Sequence, residues 1–63
     1  MNIEKLIELR KKKGLSQSAL AKQIGVTRQA VNLYEKGERR PTLALLVKIT
    51  KALECTTDEL LIE

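Results

Sequence analysis

The sequence predicts an all-α fold, a compact domain of five short helices packed around one aliphatic core. Segments with apolar residues three and four positions apart are each preceded by a side chain that can cap a helix. Three glycines and one proline are too few for the turns of an all-β fold. Apolar residues make up 43% of the 63 residues but include a single aromatic, Tyr34, so the core must be aliphatic.

The first helix is predicted from residue 3 to about residue 13, with Asn2 as its cap and Gly14 as its left-handed stop. Glu4 in the first turn and the basic run 10–13 in the last turn both suit the helix dipole. Spacing i, i+3, i+4, i+7 defines its inward stripe, which comprises Ile3, Leu6, Ile7 and Arg10.

The second and third helices are predicted to follow in close succession. Ser16 caps a helix over 17–24, and Thr27 caps another from 28 to about 36. Only three residues link them, so the two helices must cross at a steep angle rather than lie antiparallel. The inward positions of the second helix are Leu20, Ala21 and Ile24.

The last two helices follow a turn-like loop over 37–41. Thr42 caps a fourth helix over 43–53, and the run 56–59, TTDE, is a capping box that opens a short fifth helix. The predicted inward face of the fourth helix comprises Leu43, Leu46, Ile49 and Leu53. The fifth helix ends in Leu60, Leu61 and Ile62.

Composition argues against several classes of protein. The absence of histidine and the single cysteine, Cys55, speak against a metal site, a histidine-based triad and a disulfide framework. A chain of this size buries only about 60% of its unfolded surface, too little to enclose a deep pocket. An enzyme is therefore the least expected class, and we expect no cofactor, metal or small-molecule ligand.

Other features of the chain point to the cytoplasm. A lone thiol suits a reducing compartment, where Cys55 would serve as a small apolar filler. Glu4 and Glu8 near the start argue against a signal peptide, and no apolar run is long enough to span a bilayer.

Charge is concentrated in the middle of the sequence. Residues 10–40 contain nine basic and two acidic residues, a net charge of +7, whereas the remainder has a net charge of −3. A domain with a basic middle and acidic ends presents a polarised surface, which suits a polyanion on one side.

The predicted third helix turns polar side chains away from the core. At about 100° per residue, Ala30, Val31 and Tyr34 point inward. The opposite side carries Arg28, Gln29, Asn32, Leu33 and Lys36. Arginine suits guanine, and glutamine and asparagine suit adenine, through paired hydrogen bonds in the major groove. An exposed leucine among them would touch a thymine methyl or pack on a neighbouring side chain.

Residues 17–36, QSALAKQIGVTRQAVNLYEK, resemble the helix-turn-helix of the lambda-repressor/Cro (XRE-like) family of bacterial and phage regulators. Gln17 opens the motif, Ala21 stands at its small-residue crossing, and Gly25 stands in its turn. The flanks LRKKKGLSQ and EKGERRPTLALLVKITKAL are also similar, so the resemblance extends over nearly the whole chain. It implies a single lambda-repressor-like DNA-binding domain over 1–63.

The resemblance, with the outward face of the third helix, assigns functional residues. The base-reading set comprises Thr27, Arg28, Gln29, Asn32 and Leu33. The phosphate-binding set comprises Gln17, Ser18, Lys36, Arg39 and Arg40. The resemblance also implies an internal ion pair between Arg10 and Glu35, which removes Arg10 from the DNA contacts. Glu54 stands where the family usually has glycine, and Thr57 where it often has an apolar residue.

The resulting hypothesis is a sequence-specific double-stranded DNA-binding transcriptional regulator, by default a repressor, that binds a palindrome as a homodimer. The apolar triplet Leu60, Leu61 and Ile62 would form the dimer contact, unless it is a frayed tail. The main alternative is an antitoxin-like protein-interaction module with DNA binding secondary. A membrane-surface peptide is the weaker third possibility, and the outward residues could also be an ordinary solvated helix face.

Overall fold

A computed structural model describes residues 1–61 of the chain, without the side chain of Leu61. Its elements are α1 (Ile3–Lys12), α2 (Gln17–Ile24), α3 (Arg28–Lys36), α4 (Leu43–Leu53) and α5 (Thr57–Leu61). Within these residues the structure contains helices and no strand, so the all-α prediction is confirmed. None of the described helices has the length and apolar character needed to cross a membrane.

Each helix begins where its cap predicts. The side chains of Asn2, Ser16, Thr27 and Thr42 accept hydrogen bonds of 3.0–3.2 Å from the backbone N–H three residues later. Thr56 does the same for α5, with a distance of 3.3 Å from Glu59 N to Thr56 Oγ1. These bonds satisfy N–H groups that have no acceptor within the helix.

The core lies between all five helices and is aliphatic except for Tyr34. α2 packs against α3 and α4, and α1 packs against α3 and α5. The fully buried side chains are Leu6, Leu20, Ile24, Val31, Ile49 and Leu60. Ala21 is also buried, and its small side chain lets the turn after α2 pass close to it. The Val26 N–H donates to the Ala21 carbonyl at 2.9 Å.

The inward face of α4 differs from the prediction at Leu43. This side chain is 73% exposed, because the residues of α4 that pack against the core begin only with Leu45 and Leu46. Thr50 is buried in the same helix, and its hydroxyl donates to the Val47 carbonyl at 2.7 Å, which satisfies the polar group. The observed buried stripe therefore starts after the first turn of α4 and includes a threonine.

The segment after α4 contains a non-glycine residue in the left-handed region. Glu54 has φ 53° and ψ 47°, the conformation that the family's usual glycine at this position predicts. The following helix, α5, returns to the start of the chain, where the Asn2 N–H donates to the Leu60 carbonyl at 2.5 Å. Leu60 is fully buried, so α5 is docked even though Thr57 is polar.

Candidate nucleic-acid interface

α2, the turn and α3 form a rigid corner. Gly25 ends α2 with φ 77°, in the left-handed region, and its N–H donates to the Ala21 carbonyl. Thr27 then caps α3 with a hydrogen bond of 3.1 Å from Ala30 N to Thr27 Oγ1. The inner side of α3 is fixed by the burial of Ala30, Val31 and Tyr34. The opposite side of α3 is therefore held in a constant orientation by the core.

The predicted base-reading residues lie at the start and along the outer side of α3. Thr27, Arg28 and Gln29 are exposed, and Arg28 and Gln29 are the first two residues of the helix. Asn32 and Leu33 follow one turn later and are half-buried. Arg28, Gln29 and Asn32 thus share the side of α3 opposite its buried residues, whereas the hydroxyl of Thr27 is used in capping the helix.

Arg10 and Glu35 form the internal ion pair that the resemblance implies. The distance from Arg10 Nε to Glu35 Oε2 is 2.6 Å, and that from Arg10 Nη2 to Glu35 Oε1 is 3.2 Å. The remaining nitrogen, Arg10 Nη1, donates to the Leu15 carbonyl at 2.8 Å. Arg10 is buried, so its charge is neutralised inside the protein and does not contribute to the basic surface.

The side chain of Gln17 makes hydrogen bonds that the sequence did not predict. Its Nε2 donates to Glu35 Oε1 at 3.0 Å, and its Oε1 accepts from Asn32 Nδ2 at 3.4 Å. The side chain assigned to phosphate binding is thus half-buried and hydrogen-bonded within the protein. The first two backbone N–H groups of α2, those of Gln17 and Ser18, have no acceptor within the helix and remain suited to an anion.

The other predicted phosphate-binding residues are all at the surface. Ser18 at the start of α2, Lys36 at the end of α3, and Arg39 and Arg40 in the following loop are exposed. Gly37 ends α3 with φ 74° and directs the chain into that loop. A small cavity of about 110 Å³ is lined in part by Gly37, Arg39 and Arg40.

Most of the positive charge in the middle of the sequence is accessible. Of the nine basic residues between positions 10 and 40, only Arg10 is buried, and it is paired with Glu35. Glu38 is the one exposed acidic residue in that range. Lys13 pairs at the surface with Glu54. The exposed charge of the region therefore stays strongly positive.

The predicted dimer contact needs correction at Leu60. This side chain is fully buried within its own chain, so it offers no surface to a second copy. The side chain of Leu61 and the whole of Ile62 lie outside the described residues. The prediction of a dimer contact therefore depends on these two alone.

Comparison with known proteins identifies the family. A family model described as Helix-turn-helix matches residues 6–60. The chain is 41% identical over 61 residues to the HTH-type transcriptional regulator AnsR of Bacillus subtilis (strain 168). The aligned region covers 97% of this chain and 53% of AnsR. The chain thus spans about half the length of that relative.

Two solved structures have the same fold. The crystal structure of the restriction-modification controller protein C.AhdI from Aeromonas hydrophila superposes with a TM-score of 0.85 at 40% identity, covering 92% of this chain and 88% of that chain. The solution structure of the DNA-binding domain of the P22 C2 repressor, from Salmonella phage P22, gives a TM-score of 0.89 at 35% identity, covering 97% and 82%. These relatives are regulators rather than enzymes, in agreement with the exclusion of catalysis. The chain belongs to the XRE-like helix-turn-helix family of the lambda-repressor type.

Proposed function

We propose that the chain is a sequence-specific double-stranded DNA-binding transcriptional regulator that reads the major groove with α3. The observation that carries this proposal is the exposure of Arg28 and Gln29 at the capped start of a helix whose inner side is buried. A helix held in this way can enter the major groove with its first residues against the base edges. Arg28 matches the acceptors of guanine, and Gln29 matches the donor and acceptor of adenine.

The DNA backbone is held from both sides of α3. Ser18 and the first N–H groups of α2 bind phosphate on one side, while Lys36, Arg39 and Arg40 bind it on the other. Thr42 caps α4 directly after the loop that carries Arg39 and Arg40, so the N-terminus of α4 lies close to Arg40 in the chain. These contacts set the register of the helix in the groove without carrying sequence information.

The regulator acts as a homodimer on a palindrome. A helix of nine residues reads only a few base pairs, and two copies give a longer site with half-sites about one helical turn apart. The dimer contact is formed by Leu61 and Ile62. We expect Leu61→Gln with Ile62→Gln to lower the association constant in sedimentation equilibrium, and an unchanged constant would end this part of the proposal.

Repression in the cytoplasm is the mode of action we propose. Occupancy of a site is sufficient to block polymerase, whereas activation requires a further surface. The P22 C2 protein, whose DNA-binding domain has the same fold, is named a repressor. The proposal requires no cofactor, metal or small-molecule ligand.

Selection of bound duplexes from a random pool is the decisive experiment. We expect a palindromic consensus, and an affinity that falls with salt at a log–log slope of about −5 if six phosphates are neutralised. Equal affinity for every duplex at physiological ionic strength would overturn the proposal.

Two arginine variants separate the roles within the interface. Arg28→Ala should cost about 1–3 kcal/mol of binding free energy and relax the preference at one base position. Arg40→Ala is the matched control: it should weaken all duplexes equally and make the salt slope shallower by about 1. If Arg28→Ala and Gln29→Ala both leave DNA binding unchanged, the antitoxin-like protein-interaction function is favoured instead.

A further inference from the structure

We infer that Gln17 is a positioning residue that sets the orientation of the Asn32 side-chain amide, and that the base preference at the Asn32 position depends on it. The inference rests on the proposed function, because it concerns which base a DNA-bound α3 prefers. It is carried by the hydrogen bonds that run from the Arg10–Glu35 pair through Gln17 to Asn32.

The order of these bonds starts at the buried carboxylate. Glu35 receives two hydrogen bonds from the Arg10 guanidinium, at 2.6 and 3.2 Å, and its side chain is only 6% exposed. Arginine can only donate, and an ionised carboxylate can only accept. Any further group that bonds to Glu35 must therefore present a donor.

Gln17 can satisfy this requirement in one orientation only. Its NH₂ group faces Glu35 Oε1 at 3.0 Å, and the reverse orientation would place two acceptor oxygens against each other. The carbonyl oxygen of Gln17 is consequently turned toward α3. Because the Glu35 carboxylate accepts from Nε2 of Gln17, the atom of Gln17 that lies beside Asn32 is the acceptor Oε1.

The same rule then applies to Asn32. Its Nδ2 faces Gln17 Oε1 at 3.4 Å, because only a donor can pair with that oxygen. The other branch of the planar amide, Oδ1, is left as an acceptor for DNA. The second N–H of Nδ2 is left as a donor. Asn32 is half-buried on the outer side of α3, so this fixed donor and acceptor are the polar groups that it offers to DNA.

A fixed amide favours one base over the others. Adenine presents an N6 donor beside an N7 acceptor in the major groove, which an ordered acceptor–donor pair can match. If the Asn32 amide can rotate by 180°, its donor and acceptor exchange places, and this match to adenine is lost in a fraction of the protein molecules. The discrimination at one base pair should therefore fall when Gln17 no longer holds Asn32, while contacts made by Arg28 and Gln29 persist.

Gln17→Met tests the inference, since methionine has similar length but no amide. The full chain and its variants are titrated with duplexes in which each position of the selected consensus is varied in turn. We expect Gln17→Met to lose about tenfold of the preference at a single position. Asn32→Ala should affect that same position, and adding it to Gln17→Met should cause little further loss of preference. Gln23→Ala, an exposed position of the same helix outside the hydrogen-bonded series, is the control and should keep both the affinity and the preference.

Three results have distinct meanings. An equal loss of affinity for all duplexes on Gln17→Met overturns the inference, because it indicates a phosphate contact alone. Additive losses at different positions for Gln17→Met and Asn32→Ala overturn it as well. A wild-type chain without any base preference instead overturns the proposed function. Thermal unfolding of each variant checks that it is folded, and Gln17→Ala replaces Gln17→Met if the latter is not.

Discussion

Arg10 and Glu35 are 25 residues apart in sequence and lie side by side beneath the candidate interface, with side chains 11% and 6% exposed. The pair joins α1 to α3, and a third bond from Arg10 to the Leu15 carbonyl fixes the segment before α2. One buried guanidinium therefore connects α1, α3 and the link between α1 and α2.

Removal of one partner of this pair should be costly. Arg10→Met leaves the Glu35 carboxylate buried without its counter-charge, and we expect the free energy of unfolding to fall by about 3–5 kcal/mol in urea titrations. Lys13→Met is the control, because the Lys13–Glu54 pair is exposed and should contribute under about 1 kcal/mol. The double variant Arg10→Met, Glu35→Leu should recover part of the loss, and equal effects of Arg10→Met and Lys13→Met would contradict the prediction.

Gly37→Ala should destabilise the protein, chiefly through the backbone. Its φ of 74° is left-handed, which costs a residue with a Cβ about 1–2 kcal/mol. The added Cβ would also lie 2.8 Å from Ile3 Cδ1, the tip of a side chain that can turn away at small further cost. Thermal unfolding is the measurement.

Gly14→Ala is the matched control for this prediction. Gly14 has φ 72°, but an added Cβ would meet nothing within 4 Å. The loss of stability in this variant therefore measures only the cost of the left-handed backbone conformation. Ile3→Val removes Cδ1 and should make the two alanine variants equally costly. A Gly37→Ala variant as stable as the wild type would rule out the left-handed conformation at this position.

Glu54→Gly should stabilise the protein. A glutamate at φ 53° carries a left-handed strain that glycine does not have, and the exposed pair with Lys13 that is lost contributes little. The expected gain is about 0.5–1 kcal/mol, a rise in melting temperature of a few degrees. Glu54→Ala lacks both the pair and the glycine freedom and should not show this gain. A lower melting temperature for Glu54→Gly would contradict the argument.

The Cys55 thiol should react slowly in the folded chain. Burial raises its pKa above the ordinary thiol value, the nearby Glu59 carboxylate raises it further, and Lys5 acts in the opposite direction. The rate of alkylation should therefore rise at a higher pH in the folded chain than in the urea-unfolded chain. Glu59→Gln should speed the reaction at fixed pH, whereas Lys5→Met should slow it.

The raised pKa of Cys55 also makes the stability of the folded chain depend on pH. The thiol of the unfolded chain loses its proton at a lower pH than that of the folded chain, so the contribution of Cys55 to stability is complete below the pKa of the unfolded thiol and declines as the pH rises above it. Cys55→Ser removes the contribution, and an identical alkaline decline in the variant would assign it to other groups.

The positions of the helices could be predicted because their signals are local. Asn2, Ser16, Thr27 and Thr42 each bond to a backbone N–H only three residues away, so the cap and its helix are read from the same short segment. The orientation of Leu43 could not be predicted in this way. Its spacing fits the apolar stripe, but burial requires a neighbouring helix, and the packing of α4 begins later.

The outer residues of α3 were predictable, whereas their polar partners were not. Arg28 and Gln29 follow from helix periodicity once the buried side is known. The bonds of Gln17 to residues 15 and 18 positions away depend on how α2 crosses α3, which no local pattern encodes. The Arg10–Glu35 pair, whose partners are 25 positions apart, was predicted from the family resemblance and not from residue spacing.

The hydrogen bond from the Asn2 N–H to the Leu60 carbonyl closes a ring that includes almost the whole chain. Because loop-closure entropy grows only slowly with loop length, this contact can form at small additional cost once the segments between have been ordered. We expect the contact between the start of the chain and α5 to form last and open first, since α1 itself is also held to α3 by the buried Arg10–Glu35 pair. Amide hydrogen exchange at the two ends of the chain should accordingly report one shared opening event, separate from that of the corner that presents α3.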